Sequence, residues 1–184
     1  MRLIEPRFRS LYFAMLASFA MFGVCVTIIG ATLPRILGDF GWGYLATGIV
    51  LCSGSLGYLV SAFVSGILAH RIGPKRVVVI GLGLQAVGLS LFVTTPNVPF
   101  NILLYFLIGV GQGGMEVVVN YAVVRMERGG KSRLMNLMHA AFCVGAVAGP
   151  FAVVTLMGMW QVVYRLMAVA ALVTILWPVT GALG

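Results

Sequence analysis

Residues 66–76 read Gly-Ile-Leu-Ala-His-Arg-Ile-Gly-Pro-Lys-Arg and join two long apolar runs, 44–68 and 77–94. The Gly-Pro pair marks a turn, and Arg71, Lys75 and Arg76 charge it. An apolar run, a short cationic turn and a second apolar run make the pattern of a membrane hairpin, because Lys and Arg hold such turns on the cytoplasmic face.

Outward from this hairpin the pattern repeats. Crossing a hydrocarbon core of about 30 Å takes roughly 20 helical residues. Runs of that kind occur at 11–33, 44–68, 77–94, 100–124, 134–157 and 161–183. Between them lie turn signals at Pro34 to Gly43, His70 to Arg76, Thr95 to Pro99, Met126 to Arg133 and Gly158 to Trp160. A membrane barrel would alternate apolar and polar residues with period two, and these runs do not. The expectation is an all-α membrane protein, one six-helix domain over residues 1–184.

Composition agrees. The chain is 61% apolar and 9% charged, with a mean hydropathy of +1.08, against about 25% charged residues in an ordinary soluble domain. A net charge of +8 would suit a nucleic acid if it were gathered on one surface. Here the cations sit in the turns, so no nucleic-acid partner is expected. Cys25, Cys52 and Cys143 all lie inside apolar runs and read as small core residues rather than a disulfide framework. Arg2, Arg7 and Arg9 precede the first run, but its length to about Leu33 exceeds a signal-peptide core of 7–15 residues.

With the amino terminus inside, the inner segments hold Arg2, Arg7, Arg9, Arg71, Lys75, Arg76, Arg125, Arg128, Lys131 and Arg133, and the outer ones only Arg35 and Arg165. That asymmetry predicts a multi-pass protein of the cell membrane with both termini cytoplasmic.

Small residues mark the expected helix contacts, since close backbone approach replaces the hydrophobic drive that lipid removes. Ser53, Gly57, Ser61 and Ser65 form a stripe on the second helix, Gly109 and Gly113 on the fourth, and Gly145 and Gly149 on the fifth. The same glycines suit a substrate path, which is the alternative reading. Gly23, Thr27, Gly30 and Pro34 share a face of the first helix and open backbone and one hydroxyl toward a cavity.

Two charges fall inside the spans, Glu116 and Arg165, and each costs at least about 2.5–3.5 kcal/mol at the bilayer centre. Arg165, four residues into the sixth helix, reads as an interfacial anchor that snorkels. Glu116 precedes Arg125 by nine residues, about 13 Å along a helix axis, which puts it near mid-membrane. Gln112, Glu116 and Asn120 follow at helical spacing and make one polar stripe. An acid in that setting is a candidate proton carrier; the alternative is a carboxyl hydrogen-bonded to a neighbouring helix for packing alone. His139, with Asn136 nearby, lies roughly 9 Å past Arg133 and is a candidate partner on the same path. One Glu and one His are too few ligands for a metal site. No phosphate loop, zinc pattern or nucleophile elbow is present, so no cofactor is expected and the chain is not read as an enzyme.

Gly66 to Arg76 resembles the signature loop of the major facilitator superfamily, in which a Gly, a Leu-Ala pair, an Asp-Arg, a second Gly and a basic pair recur at this spacing. Phe22 to Pro34 and Trp160 to Arg165 resemble that superfamily too, and the likeness extends over the chain as the amino-terminal half of a transporter, built of two three-helix repeats. The resemblance implies that Gly66, His70, Arg71, Gly73, Lys75, Arg76 and Arg125 form the conformational loop and its partner. His70 stands where the loop of the family has Asp, the residue that pairs with basic groups at the inner end of the fourth helix. Tyr105 stands where many drug/proton antiporters carry Arg, while Gly145 to Pro150 partly resembles the antiporter motif of the fifth helix. Gly111 to Asn120 and Asn136 to Gly145 look most like the fucose permease and hexose symporter branch. There the position of Glu116 is an essential acid and that of His139 a polar residue facing the sugar; Gly30 takes the place of the helix-one Asp of that branch.

The resemblance therefore implies half of a secondary transporter that moves a small polar, sugar-like solute by alternating access, coupled to H+ through Glu116, with Gln112, Asn120, Asn136, His139 and Thr27 on the path. Its partners would be the solute, the coupling ion, the bilayer and a second six-helix half, either a second copy in a parallel homodimer or another chain. The alternatives are an efflux antiporter of small organic molecules, or a scaffold or truncated half that transports nothing.

Overall fold

Lipid offers no hydrogen bonds, so an apolar run that enters it must satisfy every backbone group internally, which for these lengths means a helix. The computed structural model describes residues 8–127 and 132–180, with the side chains of 157 and 177–180 left aside. Arg2, Arg7, Arg128, Lys131 and the end of the predicted sixth span lie outside the described residues. The helices are α1 (Arg9–Phe40), α2 (Tyr44–Ile72), α3 (Pro74–Leu91), α4 (Val98–Met126), α5 (Arg133–Thr155) and α6 (Gln161–Thr180). The first five are long and apolar enough to cross a membrane, and the Gln161–Leu176 part of α6 is a shorter apolar helix.

Three expected boundaries change. Pro34 does not end α1, which continues to Phe40 and stops at Gly41 with φ 64°. A proline removes one helical N–H and its ring crowds the carbonyl four residues back; that residue is Gly30, around which a Cβ would meet nothing within 4 Å. The predicted turn from His70 to Arg76 shrinks to Gly73, whose φ of 89° lets α2 pass directly into α3. The expected connection at Gly158 to Trp160 is a single 3-10 turn, Met157–Met159.

The helices pair closely, α2 along α4 and α1 along α5, with α3 against α4 and α6, and α6 also against α1. The predicted glycine stripes form these contacts. A Cβ on Gly109 would lie 2.0 Å from the Gly54 carbonyl oxygen of α2, and one on Gly145 only 1.8 Å from that of Ala20 in α1. Ser53 adds a bond across the first pair, donating to the Ile102 carbonyl at 2.9 Å. Half of the most apolar stretch of α1 and of α4 is buried but only 22% of that of α2 and α5, so the last two carry much of the outward apolar surface.

At the end of the bundle where α1 stops, polar side chains tie helix ends together. Asn101 is fully buried and spans the α3–α4 turn. Trp160 donates to Asp39 at 2.8 Å, and Trp42 to the Pro96 carbonyl at 2.8 Å. Arg165 is not a free interfacial anchor: its guanidinium donates to the carbonyls of Leu89, at 3.3 Å, and Phe92, at 2.8 Å. Those carbonyls have no onward helical N–H, and the negative end of the α3 dipole favours a cation there. Arg165→Leu is expected to destabilise the fold by about 2 kcal/mol, the scale of a charged hydrogen bond. Lysine, which offers a single charged head, should restore only part of it, as thermal unfolding in detergent would read.

Candidate functional site

The site starts from the α2–α4 contact. A Cβ on Gly113 would meet the Tyr58 carbonyl oxygen at 2.4 Å, so the two backbones nearly touch there. That closeness brings the side chain of Tyr58 alongside α4, where its hydroxyl donates to Glu116 Oε2 at 2.5 Å. The acid, half-buried, thus has a hydrogen-bond donor from a neighbouring helix.

Above this pair lies a cavity of about 320 Å³ between α1, α2 and α4, walled by Phe22, Val26, Ser55, Tyr58, Tyr105 and Gln112 among others. Phe22 stacks on Tyr58 with ring centroids 6.4 Å apart and planes 15° from parallel. Gln112 and Glu116 are one helical turn apart, so the cavity wall and the Tyr58 bond share the α4 stripe. Asn120 continues the stripe, its Oδ1 buried without a hydrogen-bond partner.

His139 and Asn136 lie on exposed positions of α5. The imidazole meets Phe19 edge-on at 5.9 Å, and Phe19 meets Phe22 edge-on at 6.3 Å. Rings from α5, α1 and α2 therefore connect His139 to the Tyr58–Glu116 pair, without direct contact between the two titratable residues. Thr27 is turned to its own helix, donating to Gly23 at 3.1 Å and Val24 at 3.2 Å, and it packs against Gly149 of α5. Gly23 is likewise closed over, 2.0 Å from the Phe142 carbonyl oxygen when a Cβ is added. The first-helix face expected to open onto a cavity is in these two residues a packing face.

At the end where α1 begins, His70 and Arg71 occupy the last turn of α2, and Lys75 and Arg76 the first turn of α3. Cations favour a helix carboxyl end and disfavour an amino end, so Lys75 and Arg76 do nothing for α3 itself. Arg125 sits 4.7 Å over the Tyr121 ring. Gly66 has open space around it.

Three polar residues were not legible as parts of the structure. Tyr58 carries no sequence signal beyond its place one residue after Gly57. Gln85, the lone amide of residues 77–94, is fully buried, donates to Cys25 Sγ at 3.4 Å and leaves its Oε1 without a partner. Asn101, near the start of the fourth apolar run, is a fully buried brace.

Apolar helices packed through glycine, with polar side chains turned inward, define a polytopic helical membrane protein. The chain belongs to the major facilitator superfamily, whose family pattern it matches over residues 12–181. Its relatives include "Uncharacterized transporter y4wD" of Sinorhizobium fredii, 28% identical over 138 residues, which cover 72% of this chain and 35% of the relative. "Probable plastidic glucose transporter 3" of Arabidopsis thaliana is 27% identical over 177 residues, 89% of this chain and 34% of the relative. The "Gentisate transporter" of Corynebacterium glutamicum is 30% identical over 127 residues, 66% of this chain and 27% of the relative. The chain thus spans about a quarter to a third of the length of these curated relatives. Family and relatives are those of transporters and not of enzymes.

Proposed function

We propose that this chain is the amino-terminal half of a secondary transporter that moves a small polar, sugar-like solute by alternating access, coupled to protons through Glu116. The observation that carries the reading is the Tyr58–Glu116 hydrogen bond beside the cavity: an acid in lipid surroundings can trade that donor for a proton or a solute hydroxyl. In this reading Gln112 of the cavity wall, with Asn120, Asn136 and His139, supplies further polar groups to the path, while Thr27 is left to packing.

Several features support the wider reading. Exchanging α1–α3 with α4–α6 turns the α2–α4 pair into the α5–α1 pair and the α3–α4 pair into the α6–α1 pair, both close pairs in the fold; this favours a repeat of three helices. Arg9, Arg71, Lys75, Arg76, Arg125 and Arg133 lie toward the end where α1 begins, against Arg35 and Arg165 at the other, which favours a cytoplasmic location for both termini in a cell membrane. The outward apolar faces of α2 and α5 leave room for a second six-helix half, a parallel second copy or another chain, to complete the solute path. The branch of sugar symporters fits the relative named for glucose.

The test is uptake of labelled hexoses into vesicles holding the protein under an inward proton gradient. Glu116→Gln, which keeps the shape and a hydrogen-bond acceptor but holds no titratable proton, is expected to abolish gradient-driven uptake. Transport with an unaltered pH dependence would refute the role of Glu116.

A further inference from the structure

The cavity has an acid beside it and no cation. Among the described residues no Lys, Arg or His lines it, and its polar groups, from Ser55, Tyr58 and Gln112, are neutral. Arg165 packs behind one wall, since it donates to the Phe92 carbonyl at 2.8 Å and the Phe92 ring lies 5.1 Å from that of Tyr105. Its guanidinium is engaged with the carbonyls of α3 and is not part of the cavity lining. His139 stands two ring contacts away, behind Phe19 and Phe22. Glu116 lies just outside the lining, hydrogen-bonded to Tyr58 of the wall.

An anion entering this space would meet no opposite charge among the described lining residues and would lie near the Glu116 carboxylate behind Tyr58, and in a medium of low polarity that repulsion is weakly screened. Phe22, Tyr58 and Tyr105 line the same space and add to the same preference, because aromatic rings attract cations and flat apolar surfaces. We infer that this cavity selects by charge: it takes a neutral or cationic solute with a flat apolar face and a hydrogen-bonding edge, and turns anions away. The inference rests on the reading of this cavity as the solute site, and it narrows the solute class among relatives with diverse named substrates.

Charge selection is measurable without knowing the solute. Cys52 and Cys143, both exposed, are replaced by Ser, Cys25 stays as a buried residue, and Ser55→Cys places a reporter on the cavity wall. Its rates of modification by cationic, neutral and anionic methanethiosulfonates of similar size are divided by those of a free thiol in solution. The cation-to-anion ratio is expected to exceed that of the free thiol by at least about tenfold, and Glu116→Gln should bring it back toward the free-thiol value. A ratio no higher than that of the free thiol, a ratio that Glu116→Gln leaves unchanged, or no reaction with any reagent overturns the inference. The readout is local potential and not uptake, so loss of the proton-coupling role of Glu116 in the vesicle assay would leave this result standing, and the reverse also holds.

Discussion

Gly145→Ala is expected to lower the stability of the fold by roughly 3 kcal/mol, the upper range for overpacking a close contact. The added methyl carbon would start 1.8 Å from the Ala20 carbonyl oxygen, 2.7 Å from its carbonyl carbon and 3.0 Å from its Cα. Non-bonded heavy atoms settle at about 3.5–4.0 Å, and the obstacle is helix backbone, which cannot rotate aside as a side chain does. α1 and α5 must therefore move apart. The movement also loosens Gly149 against Thr27 and Gly23 against Phe142, which lie on the same seam. In lipid no hydrophobic gain from burial compensates for the lost van der Waals contact. Gly30→Ala is the control: nothing lies within 4 Å of its added Cβ, and alanine is favoured over glycine in a helix by up to about 1 kcal/mol. Thermal unfolding in detergent should show a large drop for the first variant and none for the second. Equal midpoints for the two would refute the close α1–α5 seam.

Asn101→Leu should be of similar severity for a different reason. The amide makes three hydrogen bonds, accepting from the Val93 N–H at 2.8 Å and donating to the carbonyls of Thr95 at 2.9 Å and Asn97 at 2.8 Å. Leucine keeps the bulk and removes all three, about 1 kcal/mol each, and it strands a buried donor. Val93 has φ 52°, a conformation that β-branched residues resist, so the bond to its N–H also holds a strained residue in place. Asn101→Asp, which keeps the acceptor, should retain part of the stability. Hydrogen exchange at the Val93 amide provides the local readout: it should accelerate sharply in the leucine variant. Unchanged protection there would show that the brace is dispensable.

Both variants act on positions whose meaning was unequally visible in the sequence. Gly145 and Gly149 stood out as a four-residue glycine repeat in an apolar run, and helices meeting in lipid need such places, so their packing role could be read before any coordinates. Asn101 sits near a turn, where Asn is common for local reasons, and nothing along the chain tells that its side chain points inward. Arg165 is a similar case. Its depth was legible, but its partners lie on α3, 73 and 76 residues away in the chain, and only the packing of α6 against α3 brings them within reach. Pro34 misled because a proline removes one helical N–H and crowds one carbonyl without having to end the helix, and α1 runs through it to Phe40.

For the candidate site the division is the same. Spacing alone placed Gln112, Glu116 and Asn120 on one face of a helix, because residues four apart must share a face whatever surrounds them. The partner of the acid could not be read this way. Tyr58 reaches Glu116 because Gly113 lets the α2 and α4 backbones touch, and Thr27 is withdrawn because α1 is pressed on α5. The sequence by itself determined the helices, the excess of cations in the turns and the glycine faces, since these depend on local composition and a fixed helical period. Tertiary structure alone decided which helix each face meets, which polar atoms find partners and where a cavity remains, since these depend on contacts between residues far apart in the chain.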